Sequence, residues 1–250
     1  MCTVTWLRTE GGYELFSNRD ERRTRPPAEP PRALVLGGVR CLAPVDAEAG
    51  GSWITVNELG VCLTLLNLYE APVQEAPPSG GELKSRGLLV TELAGAGSAR
   101  EAVRRLGESA LGRYRPFTLL AIDAEGPARS VRWDGERRTD LGPEPPMPLV
   151  SSGYDAAGAN AARARLLEAM RAVHGELSSA LLLRFHASHQ PERGAYSPCM
   201  HRSDAETVSL SWVRVTHEAV SFAYGPGAPC TAALGEPVTL ARVPARVAVG

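Results

Sequence analysis

The chain switches between two hydrophobic rhythms. In its first part apolar residues recur at every second position over short runs, the pattern of half-buried strands. Cys2 to Leu7 and Tyr13 to Ser17 flank Gly11-Gly12 and predict two strands joined by a hairpin. A strand near Ala33–Leu36 follows. Ser52 to Asn57 and Val61 to Asn67, divided by Glu58-Leu59-Gly60, predict a second hairpin. The later run of that pair is apolar at nearly every residue, which places it centrally, covered on both faces. Residues 22–32 carry Pro26, Pro27, Pro30 and Pro31, lack donors there, and predict a loop that cannot continue a strand.

The rhythm then lengthens. Ser85 to Val90 opens a helix that Gly95-Ala96-Gly97 breaks. Ser98-x-x-Glu101 is a capping box, and Ala99, Val103, Leu106 and Ala110 trace one face of a helix ending near Gly112. Strands are predicted over Phe117 to Asp123, Ala128 to Trp133 and Arg137 to Leu141, the last two joined at Asp134-Gly135, with a short Leu149 to Ser152 after a proline-rich interruption. Ala162, Leu166, Ala169, Met170 and Val173 define the apolar face of a third helix, and Ser178 to His186 form a fourth. Val208 to His217, Ala219 to Tyr224 and Val238 to Val243 return to strand. Glu70 to Gly81 is a Pro/Gly-rich loop, long enough for a rim or lid. Strand groups alternating with helix pairs predict two mostly antiparallel sheets between helical layers, although an ordinary α+β arrangement satisfies the pattern too. No repeat divides the chain, so residues 1–250 are expected to form one domain.

Composition narrows the function. Of 250 residues 44% are hydrophobic and 22% charged, as in soluble globular proteins. A net charge of −1 and a pI near 6.5 provide no general field for nucleic acid or anionic lipid. No run approaches the roughly eighteen apolar residues of a membrane span, and no charged leader with an apolar run marks a secretion signal. Cys2, Cys41, Cys62, Cys199 and Cys230 are odd in number and scattered, which predicts reduced thiols in a cytoplasmic setting.

The candidate chemistry starts at Cys2. A small residue behind Met1 usually lets the methionine be trimmed, which leaves a thiol and a free α-amine on one residue. Their ordinary pKa values, about 8.5 and roughly 7.7–8.0, lie close to working pH. Nucleophile and base are thus supplied together. The plainer reading is a small hydrophobe on an N-terminal strand. The hairpin returns Asn18-Arg19-Asp20-Glu21 to the N-terminus, where Arg19 would hold the thiolate or a substrate carboxylate and Asp20 would orient the amine or Arg19. Asn67 ends a buried strand, a position from which its amide can enter a cleft, although asparagine also favours turns. Arg22 and Arg23 head a basic loop that would attract a substrate anion or simply be solvated. His186-x-x-His189 and Cys199-x-His201 contain ligand residues, but their spacing matches no common zinc pattern, and no Cys-x-x-Cys-His marks a haem. The glycines at 95 and 97 lack the Lys-Ser/Thr of a phosphate loop. Neither metal nor cofactor is expected.

The tetrapeptide Asn18-Arg19-Asp20-Glu21 resembles the NRDE family, named for it, which includes the transport-and-Golgi-organisation proteins. Asp46-x-x-x-Gly50-Gly51-x-Trp53 through Asn57, Leu66-Asn67, Ser85 to Val90 and Ser197 to Arg202 also fit that family. Met1-Cys2-Thr3 and the stretch from Leu15-Phe16 to Asp20 are similar, more distantly, to the choloylglycine hydrolase and penicillin V acylase group. The resemblance implies an α+β fold, the four-layer αββα sandwich of N-terminal nucleophile hydrolases. It implies Cys2 as nucleophile, Asn67 as oxyanion donor and Arg202 as the late active-site arginine. Independently of the resemblance, Asn18 and the basic Arg22 and Arg23 are expected on the substrate side. Two departures stand out. Ser151-Ser152-Gly153-Tyr154-Asp155 lacks the asparagine that the acylases use to bind substrate, and the Asn-Arg-Asp-Glu order differs from their turn. Two functions are therefore expected: a cytoplasmic N-terminal-cysteine hydrolase of an amide or related acyl bond, or a non-catalytic carrier of haem, acyl-CoA or a similar anionic hydrophobic ligand. A structural protein on a hydrolase-like scaffold has no positive sequence feature.

Overall fold

Gly11 adopts a φ of 70°, the left-handed value that a tight hairpin needs, and joins β1 (Cys2–Thr9) to β2 (Gly12–Arg22). A Cβ at Gly12 would lie 1.9 Å from the Val215 carbonyl oxygen, so a side chain there would part the strands. The computed structural model describes residues 2–72, 77 and 82–243. The chain continues through β3 (Glu29–Leu36), β4 (Val39–Val45), β5 (Ile54–Asn57) and β6 (Cys62–Asn67). Helices α1 (Arg86–Leu93) and α2 (Ala99–Glu108) follow, the second started by Ser98 Oγ accepting from the Glu101 N–H. Glu101 turns its carboxylate onto the Gly97 N–H at 2.7 Å. Next come β7 (Phe117–Ile122), β8 (Arg129–Trp133), β9 (Arg138–Pro143) and β10 (Leu149–Ser151). Asp155 and Ser178 cap α3 (Ala156–His174) and α4 (Ser179–His186). The long β11 (Ala205–Val215), β12 (Ala219–Pro226) and β13 (Val238–Ala241) close the described chain.

Every pairing between these strands is antiparallel. One sheet runs β10-β1-β2-β11-β12-β13 and the other β3-β4-β5-β6-β7-β8-β9. The sheets meet face to face over Val4, Trp6, Tyr13, Leu15, Ile54, Val56, Leu66, Leu120, Val213 and Phe222. Helices α1 and α2 cover the outer face of the second sheet through Leu63, Leu65, Leu89, Val103 and Leu119. The outer face of the first sheet is covered by α3 and α4 through Phe16, Leu167, Leu181, Leu182 and Phe185. The four layers are therefore αββα. Strand β6 is central: Leu63 and Leu65 face the helices while Cys62 and Leu66 face the other sheet. Its continuous apolar run follows from burial on both sides.

Three expectations are corrected. Pro30 and Pro31 lie inside β3, within the range expected to be loop. The strand is at the sheet edge and its register shifts between Glu29 and Arg32, so the missing donors cost no ladder bond. The buried face of α3 is Ala159, Arg163 and Leu167, with Leu166 and Met170 partly packed, whereas Val173 is 76% exposed. Arg163 is fully buried, and reading it as a solvent residue turned the predicted face. Helix α2 stops at Glu108, short of Gly112, where a single 3₁₀ turn takes over. Of the loop expected over 70–81, residues 73–76 and 78–81 lie outside the described residues. Among the described residues no helix is long and apolar enough to cross a membrane.

Candidate active site

Cys2 opens β1, which is not an edge strand: Cys2 pairs with Arg19 of β2 on one side and Ser151 of β10 on the other. Its half-buried side chain faces a cleft of about 140 Å³ between the ends of the two sheets. The first sheet contributes Cys2, Arg19, Asp20 and Glu21. The opposite wall comes from Asp46, Gly51, Ser52 and Trp53 ahead of β5, Leu65 and Asn67 of β6, and Ser85 to Gly87 at the start of α1. Two glycines make this wall possible. A Cβ at Gly51 would meet the Gly87 carbonyl carbon at 2.4 Å, so only glycine lets the loop before β5 touch the start of α1. The Ser52 N–H then donates to the Gly87 oxygen at 3.2 Å.

Arg19, Arg25 and Asp46 are paired with one another in the cleft. Arg19 stacks on Trp53, guanidinium carbon 4.2 Å from the ring centroid, and donates to Asp46 Oδ2 at 2.7 Å. Arg25 grips the same carboxylate through Nε and Nη2. Burial alone would raise the Asp46 pKa, but the bond from Arg25, the Ala49 N–H and the Arg19 charge bring it below the usual carboxylate range. Burial also pushes the Cys2 thiol up. The N-terminal charge opposes that rise, Asp20 adds to it, and Arg19 and the Asp20 backbone N–H oppose it again. A thiol in these surroundings needs a base close by. Asn67 donates one of its two amide hydrogens to the Tyr69 hydroxyl at 2.8 Å, and no described residue takes the other.

The structure sorts the expected site residues. Cys2, Arg19, Asp20 and Asn67 share the cleft. Asp20 does not hold Arg19. Its carboxylate accepts from Thr207 Oγ1 at 2.6 Å and faces Arg163 Nη2 at 3.6 Å. Asn18 lies on the same strand face, away from the cleft, and donates to the backbone oxygens of His186 and Pro198, both at 2.9 Å. Arg22 and Arg23 line a second cavity of about 720 Å³ that shares Arg19, Glu21 and Arg25 with the cleft. Arg202 belongs to neither cavity. It stacks on Tyr154 and pairs twice with Asp204 on another part of the surface, because the stretch before β11 turns it outward. Arg25, Asp46, Trp53, Arg86 and Arg163 were not assigned from the sequence; the basic loop holding Arg25, the Asp46 to Trp53 spacing and the Ser85 to Val90 stretch carried a signal, and Arg163 carried none. Ser151 stands beside Cys2 near where the acylase asparagine was sought.

Two antiparallel sheets between helical pairs, with a cysteine opening an inner strand at the cleft, define the N-terminal nucleophile hydrolase fold. The chain belongs to the family described as Transport and Golgi organisation 2, whose model matches residues 1–164. A mutant conjugated bile acid hydrolase from Clostridium perfringens, with cysteine replaced by alanine, shares the fold at 14% identity and a TM-score of 0.56, over 96% of this chain and 92% of that one. Penicillin V acylase from Agrobacterium tumefaciens is similar at 11% identity and 0.52, over 89% and 82%. The Caenorhabditis elegans orthologue of N-acylethanolamine-hydrolyzing acid amidase is similar at 11% and 0.54, over 85% and 92%. Comparison with curated proteins finds no match.

Proposed function

We propose that this protein is an N-terminal-cysteine hydrolase of an amide or related acyl bond. The observation that carries the reading is the meeting of Cys2 and Asn67 across one small cleft that also holds Arg19. Removal of Met1 frees the Cys2 α-amine, which takes the thiol proton. The thiolate attacks the acyl carbon, and the second Asn67 N–H receives the developing oxyanion. The α-ammonium returns its proton to the leaving amine as the C–N bond breaks, and water then cleaves the thioester. Arg19, held flat by Trp53 and Asp46, receives a substrate carboxylate. The relatives in fold are described as hydrolases and an acylase, which favours this chemistry by analogy. Intact mass and iodoacetamide mapping, followed by turnover of an acyl-amide panel, test the proposal. A purified protein that keeps Met1, with Cys2 no more reactive than Cys41, would sink it.

A carrier reading is favoured by the second cavity. Its volume suits a cofactor-sized ligand, and Arg22, Arg23, Arg25 and Arg193 stand beside Pro26, Pro27, Val208 and Tyr224, so cationic and apolar surface occur together. An anionic hydrophobic ligand such as haem or an acyl-CoA would fit that lining. Saturable binding of either that survives Cys2→Ala without turnover selects the carrier, and absence of binding rejects it.

A further inference from the structure

Beside the larger cavity, four side chains from two separate stretches converge. His189 follows α4, Cys199 and His201 precede β11, and Cys230 follows β12. One ligand atom from each lies within 4.8 Å of all the others. His201 Nε2 is 3.4 Å from Cys199 Sγ and 3.5 Å from Cys230 Sγ, and the two imidazoles are 5.1 Å apart, centroid to centroid. We propose that His189, Cys199, His201 and Cys230 form a structural zinc site.

The donor set is the first argument. Two thiolates and two imidazoles make a Cys₂His₂ sphere, which suits Zn²⁺ above magnesium or calcium. Geometry is the second. Bonds of about 2.3 Å to sulfur and 2.0–2.1 Å to nitrogen in a tetrahedron set sulfur-to-nitrogen edges of about 3.5 Å, close to both observed distances. The third is an unmet need: His189 Nε2 is buried and has no hydrogen-bond partner among the described residues, which is costly unless something occupies it. The fourth is the outer shell. Glu206 places a carboxylate oxygen 3.9 Å from His201 Nδ1, on the side away from the sulfurs, too long for a hydrogen bond but in the place where a carboxylate would orient the ring on closing in.

The ligands are held in place by bonds independent of any ion. The Cys199 N–H donates to the Ser188 oxygen, Ser197 Oγ donates to the Cys199 oxygen, and the Met200 N–H donates to Thr207 Oγ1. Binding displaces the two thiol protons to solvent. With four protein ligands no position is left open, so the ion would fasten the stretch after α4 to the one after β12 and not activate water. His201 and nearby Thr231 also line the larger cavity, so the clasp would set the shape of that wall. All four ligands lie beyond the residues matched by the family model.

Metal analysis of the protein purified without chelator tests the site, with about one zinc per chain expected. The reduced apo protein, titrated with Co²⁺, is expected to develop thiolate charge-transfer and tetrahedral ligand-field absorption. Cys2→Ser should keep the signal, and Cys199→Ser with Cys230→Ser should lose it. Because the double variant could misfold, the melting temperature of the wild type is followed through chelation and zinc return, with a reversible fall and recovery expected. Absence of the cobalt spectrum in the reduced wild type, or its persistence in a folded double variant, overturns the proposal. A Cys199–Cys230 disulfide that forms in preference to metal binding when zinc is present overturns it as well.

Discussion

Residues 18–21 lie on one strand, yet alternate side chains serve two different regions. Arg19 and Glu21 reach the cleft, where Arg19 lies against Trp53 and Asp46. Asn18 and Asp20 reach under the helical layer. Asn18 ties the end of α4 to Pro198, and Asp20 meets Thr207 and the fully buried Arg163. Arg163 also donates to Thr3 Oγ1, so one guanidinium links α3 to β1 and faces β2. A tetrapeptide that reads as a single catalytic signature is therefore divided by strand alternation into a chemical half and a structural half. Asp20 touches both, since its backbone N–H points at the Cys2 sulfur while its carboxylate is anchored on the other face. The cleft side tolerates solvent and keeps its charges adjustable. The helix side does not, and its charges are conditions for folding.

Substitutions on the two faces should separate into changes of rate and changes of stability. The largest effect is expected from Cys2→Ala, which should lower acyl-amide turnover by roughly 10⁴–10⁶-fold with an unchanged urea midpoint. An equal loss of stability would place Cys2 among the structural residues.

The next effect belongs to the helix side and appears with pH. Burial and then the Arg163 charge hold His186 down at about 3, against an ordinary value of 6.5, so it is neutral in the folded state. The unfolded chain binds its proton between those values, and folding stability therefore falls as pH drops from 6.5 towards 3, by up to about 5 kcal/mol. His186→Gln should flatten that slope in urea titrations, while the pH dependence of cleft chemistry keeps its shape. A slope unchanged by the substitution would show that other groups dominate.

Arg163→Met should cost about 3–5 kcal/mol, because the buried guanidinium that faces Asp20 and bonds Thr3 is lost. Pairing it with Asp20→Asn should restore part of this, and a double variant no better than the single would contradict the coupling. On the cleft side, Asn67→Ala should cost about 10²–10³ in kcat with little change in stability. An effect confined to KM would remove Asn67 from the oxyanion role. Arg19→Lys is the mildest: the planar stack on Trp53 is worth about 0.5–2 kcal/mol, so KM for a carboxylate-bearing substrate should rise several-fold while kcat holds.

Much of the architecture was legible locally. Gly11-Gly12 announced the first hairpin, Ser98 and Ser178 the helix starts, and the apolar run of β6 its central place. Period-two and period-3.6 patterns report which face of an element is buried, but they left an ordinary α+β arrangement open; the resemblance carried by the tetrapeptide and its companion motifs indicated the family and the layered sandwich. They failed where a charged residue is buried, as at Arg163, because its phase reads as solvent.

What the sequence by itself determined is the set of elements, the placement of Cys2 at the head of a strand, and the return of Arg19 beside it. Only the tertiary structure decided which partners those side chains meet. Asp46 rather than Asp20 holds Arg19, Arg202 turns away from the cleft, and Cys230 joins His189, Cys199 and His201, which precede it in the chain. The reason is physical. Hairpin pairings follow from neighbours a few residues apart, whereas the contact of Thr3 with Arg163 spans 160 residues and that of Cys230 with His201 spans 29. No local periodicity encodes such a distance; sheet register and layer packing do.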